Sequence, residues 1–305
     1  MNERNRVQGD YFDTVNVIDA CASSELLEEA MEQCRAYHRL LSKSEKASDI
    51  WRINHAEGRP VPVSEHTMRI LKAGCEIYEA SKGAFNMTVG AVTSLWNFKA
   101  EKPVLPAPEK IRRALTLMDA GKIRLEGDCV TIPAGMQVDV GGIAKGYIAD
   151  RVAEFLRERG VTNGLLNFGG NVITIGTKPE GGPWMIGLQK PDGVTGRDFW
   201  AAFPSMDETA VTSGTYERGF TLDGVRYHHL LDPRTGWPVQ NEVEMVTLIG
   251  KSSLLADGVS TACFVLGPEE GIPLAGRFDM KVIYRLKDGR VLLSREVELT
   301  LVKDS

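Results

Sequence analysis

The 305-residue chain lacks any pair of cysteines at Cys-x-x-Cys spacing, any long block of charge of one sign and any low-complexity tract. It also lacks an apolar run of the ~18 residues a membrane-spanning helix needs. Its five cysteines, Cys21, Cys34, Cys75, Cys129 and Cys263, are odd in number and scattered. That excludes a zinc knuckle and a disulfide framework and leaves reduced, mostly buried thiols. With 36 basic against 41 acidic residues the net charge is -5, so the chain is not built to hold nucleic acid by neutralising phosphates. Small molecules or proteins are the expected partners. Met1 to Val7 is polar and carries no signal-peptide core, which reads as a soluble cytoplasmic protein, or an exported one if a leader preceded it. Two common phosphate fingerprints are missing as well: there is no Gly-x-Gly-x-x-Gly, and no Gly-Lys-Ser/Thr of a Walker loop.

What the chain has is alternating strand and helix patterns without repeats. Residues 10–18 read as a strand. Ser24 reads as an N-cap with Glu25, Glu28 and Glu29 behind it, and Leu27, Met31, Cys34 and Leu41 mark an apolar face to about Leu41. A second helix is expected from Ser64 to Lys82 with Gly83 at its C′ position, and a third from Gly142 to Arg159, stopped by Gly160. The prolines of 103–108 precede another short helix. Strands are expected at 128–132, 164–168, 171–177, 184–190, 218–223 and 226–231, then a last helix over 252–265. A hairpin of 280–286 and 290–295 turns at Asp288-Gly289. Hairpins imply antiparallel pairing, so the fold class is α+β rather than a doubly wound parallel sheet. The length suits one catalytic unit over residues 1–305, or two closely packed α/β subdomains.

Three short stretches carry chemistry. In Asp139-Val-Gly-Gly-Ile-Ala-Lys145-Gly146, a strand alternating at Met136, Val138 and Val140 ends at Asp139 and meets a glycine turn, and Lys145 falls in the first helical turn beyond. A phosphate there would find amide donors, a helix dipole and a cation together. Glycine turns before helices are common, so an ordinary corner with a solvated lysine stands beside that reading. In Asp257-Gly-Val-Ser-Thr261, Asp257 and Thr261 lie four apart on a helix and present two oxygens on one face, which suits a hard cation such as Mg²⁺. A helix N-terminal Asp with a core Thr is the plainer alternative. Gly258 between them suggests a backbone or ligand that must come near. The third stretch, His228-His229-Leu-Leu-Asp232-Pro-Arg234-Thr-Gly236, is a strand entering a tight turn. Its two histidines alternate across the strand, so at most one faces a cleft. His38, His55 and His66 read as surface or satisfied core residues.

Taken in order, these stretches resemble the ApbE-type FAD:protein FMN transferases. The match continues through Phe12-Asp13-Thr14, Ser48-Asp-Ile-Trp-Arg-Ile-Asn54, Gly83-Ala-Phe-Asn-Met-Thr-Val89, Leu166-Asn-Phe-Gly-Gly-Asn171, Thr212-Ser-Gly-Thr-Tyr-Glu-Arg218 and 254–263. The resemblance implies a T-fold-like α+β architecture that binds FAD with Mg²⁺ and transfers FMN, through a phosphodiester, to a Thr or Ser of an acceptor flavoprotein, releasing AMP. The acceptor would carry an Asp-Gly-x-Ser/Ala-Thr motif. Carried over by position, the metal ligands would be the Gly142 carbonyl, Asp257 and Thr261, with Ser260 as a further candidate. FAD contacts would come from Phe12, Ser44, Ala84, Phe85, Asn86, Asp139, Lys145 and Leu231, and His229 would be the general base. Two departures stand out. Ser44 occupies the place where many members have a Tyr that packs on the flavin, and Asn86-Met87 stands where Asp followed by Pro or Ile is usual. The small Ser44 motivates an alternative, a Mg²⁺-dependent FAD pyrophosphatase yielding FMN and AMP. A flavin-binding module without turnover is a third reading, opposed by the intact Asp257, Thr261, Lys145 and His229.

Overall fold

The structure, a computed structural model, describes residues 3–302 apart from 13, 101, 192, 194, 195, 217, 295 and 296. Asp13 and Glu217, which belong to matched stretches, therefore lie outside the described residues. In chain order, β1 (Arg4–Tyr11) and β2 (Thr14–Cys21) are followed by α1 (Ser24–Leu41), α2 (Asp49–Asn54), β3 (Val61–Pro62), α3 (Glu65–Ala80), α4 (Gly90–Thr93) and α5 (Pro108–Leu115). Next come β4 (Arg124–Glu126), β5 (Cys129–Thr131), α6 (Ala144–Glu158), β6 (Asn163–Phe168), β7 (Asn171–Gly176), β8 (Trp184–Gln189), β9 (Phe199–Ser205) and β10 (Thr209–Gly214). The chain closes with β11 (Gly219–Leu222), β12 (Val225–His228), β13 (Val243–Gly250), α7 (Ser253–Leu266), α8 (Pro268–Arg277), β14 (Lys281–Leu286), β15 (Val291–Leu293) and β16 (Thr300–Leu301).

The main sheet has the order β1-β2-β6-β7-β10-β13-β14-β15, and each of its ladders is antiparallel. The α+β expectation is met. Its central strands are apolar on both faces because each face is covered. Along β14, Val282 and Tyr284 turn toward the helices while Ile283 turns to the opposite side, the period-2 alternation of a pleated strand. The first face packs on α1, α3, α6 and α7. The other packs against the small sheet β16-β9-β8 through Trp184, Trp200 and Phe203. A third apolar cluster, with Val92, Trp96, Ile111, Phe220 and Leu231, gathers around α4, α5 and the separate ribbon β11-β12.

Several boundaries differ from the sequence reading for identifiable reasons. Residues 10–18 are not one strand: the chain reverses between Tyr11 and Thr14, with Phe12 in the left-handed region at φ 56°, a conformation no Gly or Asn announces there. Ser23, not Ser24, caps α1 by accepting from the Leu26 amide. Ser64 caps α3, but the C′ position falls on Lys82, left-handed at φ 53° with its amide on the Glu79 carbonyl, and Gly83 at φ 84° is the residue after it, donating to the Tyr78 carbonyl over 2.8 Å as the C″ residue of a Schellman motif. Residues 136–140 are extended but pair with no strand. The side chain of Asn54 clamps the Val138 peptide instead, accepting its N–H at 2.7 Å and donating to its carbonyl at 2.9 Å. The helix of 252–265 is real but not the last, since α8 follows it. β9, β10 and β13 are strands that the sequence reading did not assign, and β13 is buried along its whole length except at Glu244. At Gly258 the near neighbour is a side chain: a Cβ there would come within 2.6 Å of Ile77 on α3.

Candidate functional site

The site grows from the contact of α6 with α7. Gly146 allows it: a Cβ at that position would lie 2.0 Å from the Ser253 carbonyl oxygen. Asp150, one turn further along α6, accepts the Ser253 and Leu254 amides, each at 2.9 Å, and so ties the N-terminus of α7 to α6. In return Asp257 on α7 accepts the Gly146 amide at 2.9 Å and the Lys145 ammonium at 3.1 Å. Both side chains of that ion pair are largely buried, at 15% and 6% exposure. A carboxylate and a cation thus meet at the positive end of a helix, where a phosphate would also be held.

Beside them runs the loop before α6. A Cβ on Gly142 would lie 3.9 Å from the Thr261 hydroxyl and 3.4 Å from the Phe85 ring, so Gly142, Thr261 and Phe85 converge. Asp139 is fixed on all sides: its N–H donates to the Met87 carbonyl at 2.7 Å, and its carboxylate accepts the Gly141 amide at 2.9 Å, the Thr93 hydroxyl at 3.2 Å and the Lys43 ammonium at 2.8 Å. Burial pushes the Asp139 carboxyl up, but the Lys43 charge, with the Gly141 and Thr93 donors, outweighs burial and holds it below the usual carboxylate range.

His229 follows β12, its amide donating to the Arg218 carbonyl at 3.2 Å. Its Nδ1 lies 3.4 Å from the same carbonyl. The tautomer assigned by that contact donates from Nδ1 and leaves the lone pair on Nε2. Burial first, then the Arg218 charge, pushes the imidazole down to about 3, and the Lys145 charge contributes to the same shift. His229 therefore lies within the electrostatic reach of Lys145. His228 turns the other way, buried with Nε2 3.1 Å from the Val239 carbonyl and its ring edge-on to Phe264. Asp232 orients the following turn and not the imidazole, accepting the Arg234 amide at 2.9 Å and its guanidinium at 2.8 Å.

The other candidates are placed differently. Phe12 packs edge-on against His38 at 4.6 Å between ring centres. Ser44 is exposed on the loop after α1. Ala84 and Phe85 are buried in the main core, and Asn86 accepts the Thr88 amide at 2.9 Å and its hydroxyl at 2.6 Å. Leu231 belongs to the third apolar cluster. The Ser260 hydroxyl is fully buried, 2.9 Å from the Ser213 hydroxyl and 2.9 Å from the Asp257 carbonyl it donates to. The oxygen-bearing groups brought together are thus Asp257, Thr261 and the Gly142 loop, with Ser260 turned into the core. A carboxylate, a hydroxyl and the backbone carbonyls of the Gly142 loop are hard oxygen groups of the kind that would suit a cation such as Mg²⁺. Among the described residues no cluster of three His, Cys, Asp or Glu offers a richer metal site. Lys43, Thr93 and the clamp from Asn54 had no local signal, since they reach Asp139 and Val138 across 96, 46 and 84 positions of sequence.

The ApbE family model matches residues 10–284. A Klebsiella pneumoniae protein named FAD:protein FMN transferase is 38% identical over 268 residues, spanning 85% of this chain and 82% of its own length. A Treponema pallidum protein of the same name is 34% identical over 286 residues, covering 88% of this chain and 79% of its own. Among solved structures, an ApbE protein of Thermotoga maritima superimposes with a TM-score of 0.88 at 30% identity, covering 96% of this chain and 97% of its own. The flavin transferase ApbE of Vibrio cholerae does so with a TM-score of 0.85 at 30% identity, over 96% of this chain and 98% of its own. With the family model spanning most of its length and relatives this similar, the chain belongs to the ApbE family.

Proposed function

We propose that this chain is an FAD:protein FMN transferase that uses Mg²⁺, moving FMN from FAD onto a Thr or Ser hydroxyl of an acceptor flavoprotein and releasing AMP. The observation that carries the reading is the meeting of the Lys145 ammonium, the Gly146 amide and the Asp257 carboxylate at the start of α6, in a field that also reaches His229. The names of the relatives support the same activity. Phosphoryl transfer is mostly positioning and electrostatics, and this corner supplies both to a pyrophosphate.

Asp257, Thr261 and the Gly142 carbonyl would hold Mg²⁺, whose charge offsets that of the phosphates when bound. Lys145 neutralises the bridging and leaving oxygens, and the α6 N-terminus adds its dipole. Neutral His229 takes the proton of the acceptor hydroxyl as that oxygen attacks the FMN-side phosphorus. The new bond is a phosphate ester to the acceptor; the bond broken is the P–O–P bridge, and AMP leaves with the electron pair. Acceptors with an Asp-Gly-x-Ser/Ala-Thr motif are the substrates to try.

The second reading, Mg²⁺-dependent FAD hydrolysis, is favoured by one observation: residues 43–47, Ser44 among them, are exposed, so no large side chain at 44 covers the site. Incubation with FAD, Mg²⁺ and such an acceptor separates the two. AMP matched by an acceptor gain of one FMN, both lost on chelation, is expected. Equal AMP and free FMN with an unchanged acceptor would establish the hydrolase, and no AMP would leave a flavin-binding module.

A further inference from the structure

Asp139 is a buried carboxylate whose charge is met by a lysine 96 positions away in sequence. The Lys43 ammonium sits 2.8 Å from its Oδ2, with Lys43 57% exposed and Asp139 only 16%. The other carboxylate oxygen accepts the Gly141 amide at 2.9 Å, so whatever orients Asp139 also orients the Gly141-Gly142 turn beside Thr261. Lys43 stands on the segment between α1 and α2, which is folded on itself: the Ser48 hydroxyl donates to the Ser42 carbonyl, and the Ser48 amide to the Glu45 carbonyl at 2.9 Å. Residues 43–47 are exposed throughout, and the ion pair joins this segment to the site.

We propose that Lys43 is a positioning residue for nucleotide binding, acting through Asp139 to set the Gly141-Gly142 turn and to dock the 42–48 loop against the cleft. The inference rests on the FAD reading of the site and adds to it a residue outside the motifs. The ammonium holds Asp139 ionised and facing the Gly141 amide. Without it, the carboxylate keeps only the amide and Thr93 as partners, the turn loosens, and the loop loses its tie.

The test is a set of variants, Lys43→Ala, Lys43→Gln, Lys43→Arg, Asp139→Asn and Lys43→Ala with Asp139→Asn. For each, FAD affinity is read from flavin fluorescence in the presence of Mg²⁺, together with KM, kcat and the melting temperature. Removing the ammonium is expected to weaken FAD binding and raise KM about five- to tenfold, the range for a half-exposed ion pair on a buried partner. At saturating FAD, kcat stays within about twofold, as uniform binding predicts. Lys43→Arg restores affinity, and the double variant is no worse than Asp139→Asn alone. Unchanged FAD affinity in Lys43→Ala and Lys43→Gln overturns the inference, as does a fall in kcat at unchanged affinity, a failure of Arg to rescue, or losses that multiply in the double variant. A wild-type protein that holds no FAD fails one level earlier and sinks the transferase reading with it.

Discussion

His229 illustrates what a single residue's surroundings decide. Pushed down to about 3 by burial and by the Arg218 charge, its ring is neutral throughout the physiological range and can accept a proton without first losing one. Two outcomes follow at this scale. His229→Ala should lower kcat by about 10²- to 10⁴-fold, the usual effect of losing a general base, while FAD affinity measured by fluorescence titration survives; loss of binding instead would assign the ring to nucleotide contact. In the free enzyme, kcat/KM should show no acid limb centred near 6.5 from this residue, because protonation sets in only as pH falls toward 3. A pH-rate profile with and without the imidazole checks it. Much of the site was readable from sequence at this scale, because Lys145 with Gly146, and Asp257 with Thr261, are local spacings that a helix converts into geometry. Lys43 was not readable: its partner is 96 positions away, and an isolated lysine in a polar loop carries no pattern.

At the scale of elements, α6 and α7 are held at backbone contact by one glycine, and their mutual capping through Asp150 and Asp257 depends on that spacing. Gly146→Ala would drive a methyl against the Ser253 carbonyl, a clash with main chain that no rotamer relieves. It should cost about 3 kcal/mol or more in urea unfolding, at or beyond the upper end of overpacking effects, and should also separate Lys145 from Asp257. A variant as stable as the wild type would mean that the helices slide apart freely. Helices α1 and α3, each opened by a serine cap, were legible to within a few residues, because capping chemistry is written locally. The strands β10 and β13 were not, because a strand buried on both faces loses the alternation that marks a half-exposed one, and their covering layers come from distant parts of the chain.

For the molecule as a whole, the apolar cores lie behind the site and owe nothing to a metal. Chelation should therefore abolish FMN transfer while moving the melting temperature by little, which calorimetry with and without EDTA would show; unfolding on chelation would make the metal structural. Acid should act differently. His228 and His229 have folded-state values of about 4 and about 3, below the 6.5 of a free imidazole. The unfolded chain then binds more protons between those limits, and stability falls as pH drops from 6.5 toward 4. Melting scans across that window should slope downward, and His228→Leu should flatten the slope; an unchanged slope would place the titrating groups elsewhere. The ribbon β11-β12 has one more consequence. It forms a two-stranded sheet of its own with a separate apolar cluster, and His229 sits at its foot, whereas the cation and the oxygen donors belong to α6 and α7. On the proposed reading, the base and the phosphate-holding corner therefore stand on separate pieces of chain, so substitutions in the ribbon would act on the rate of transfer more directly than on the hold of that corner.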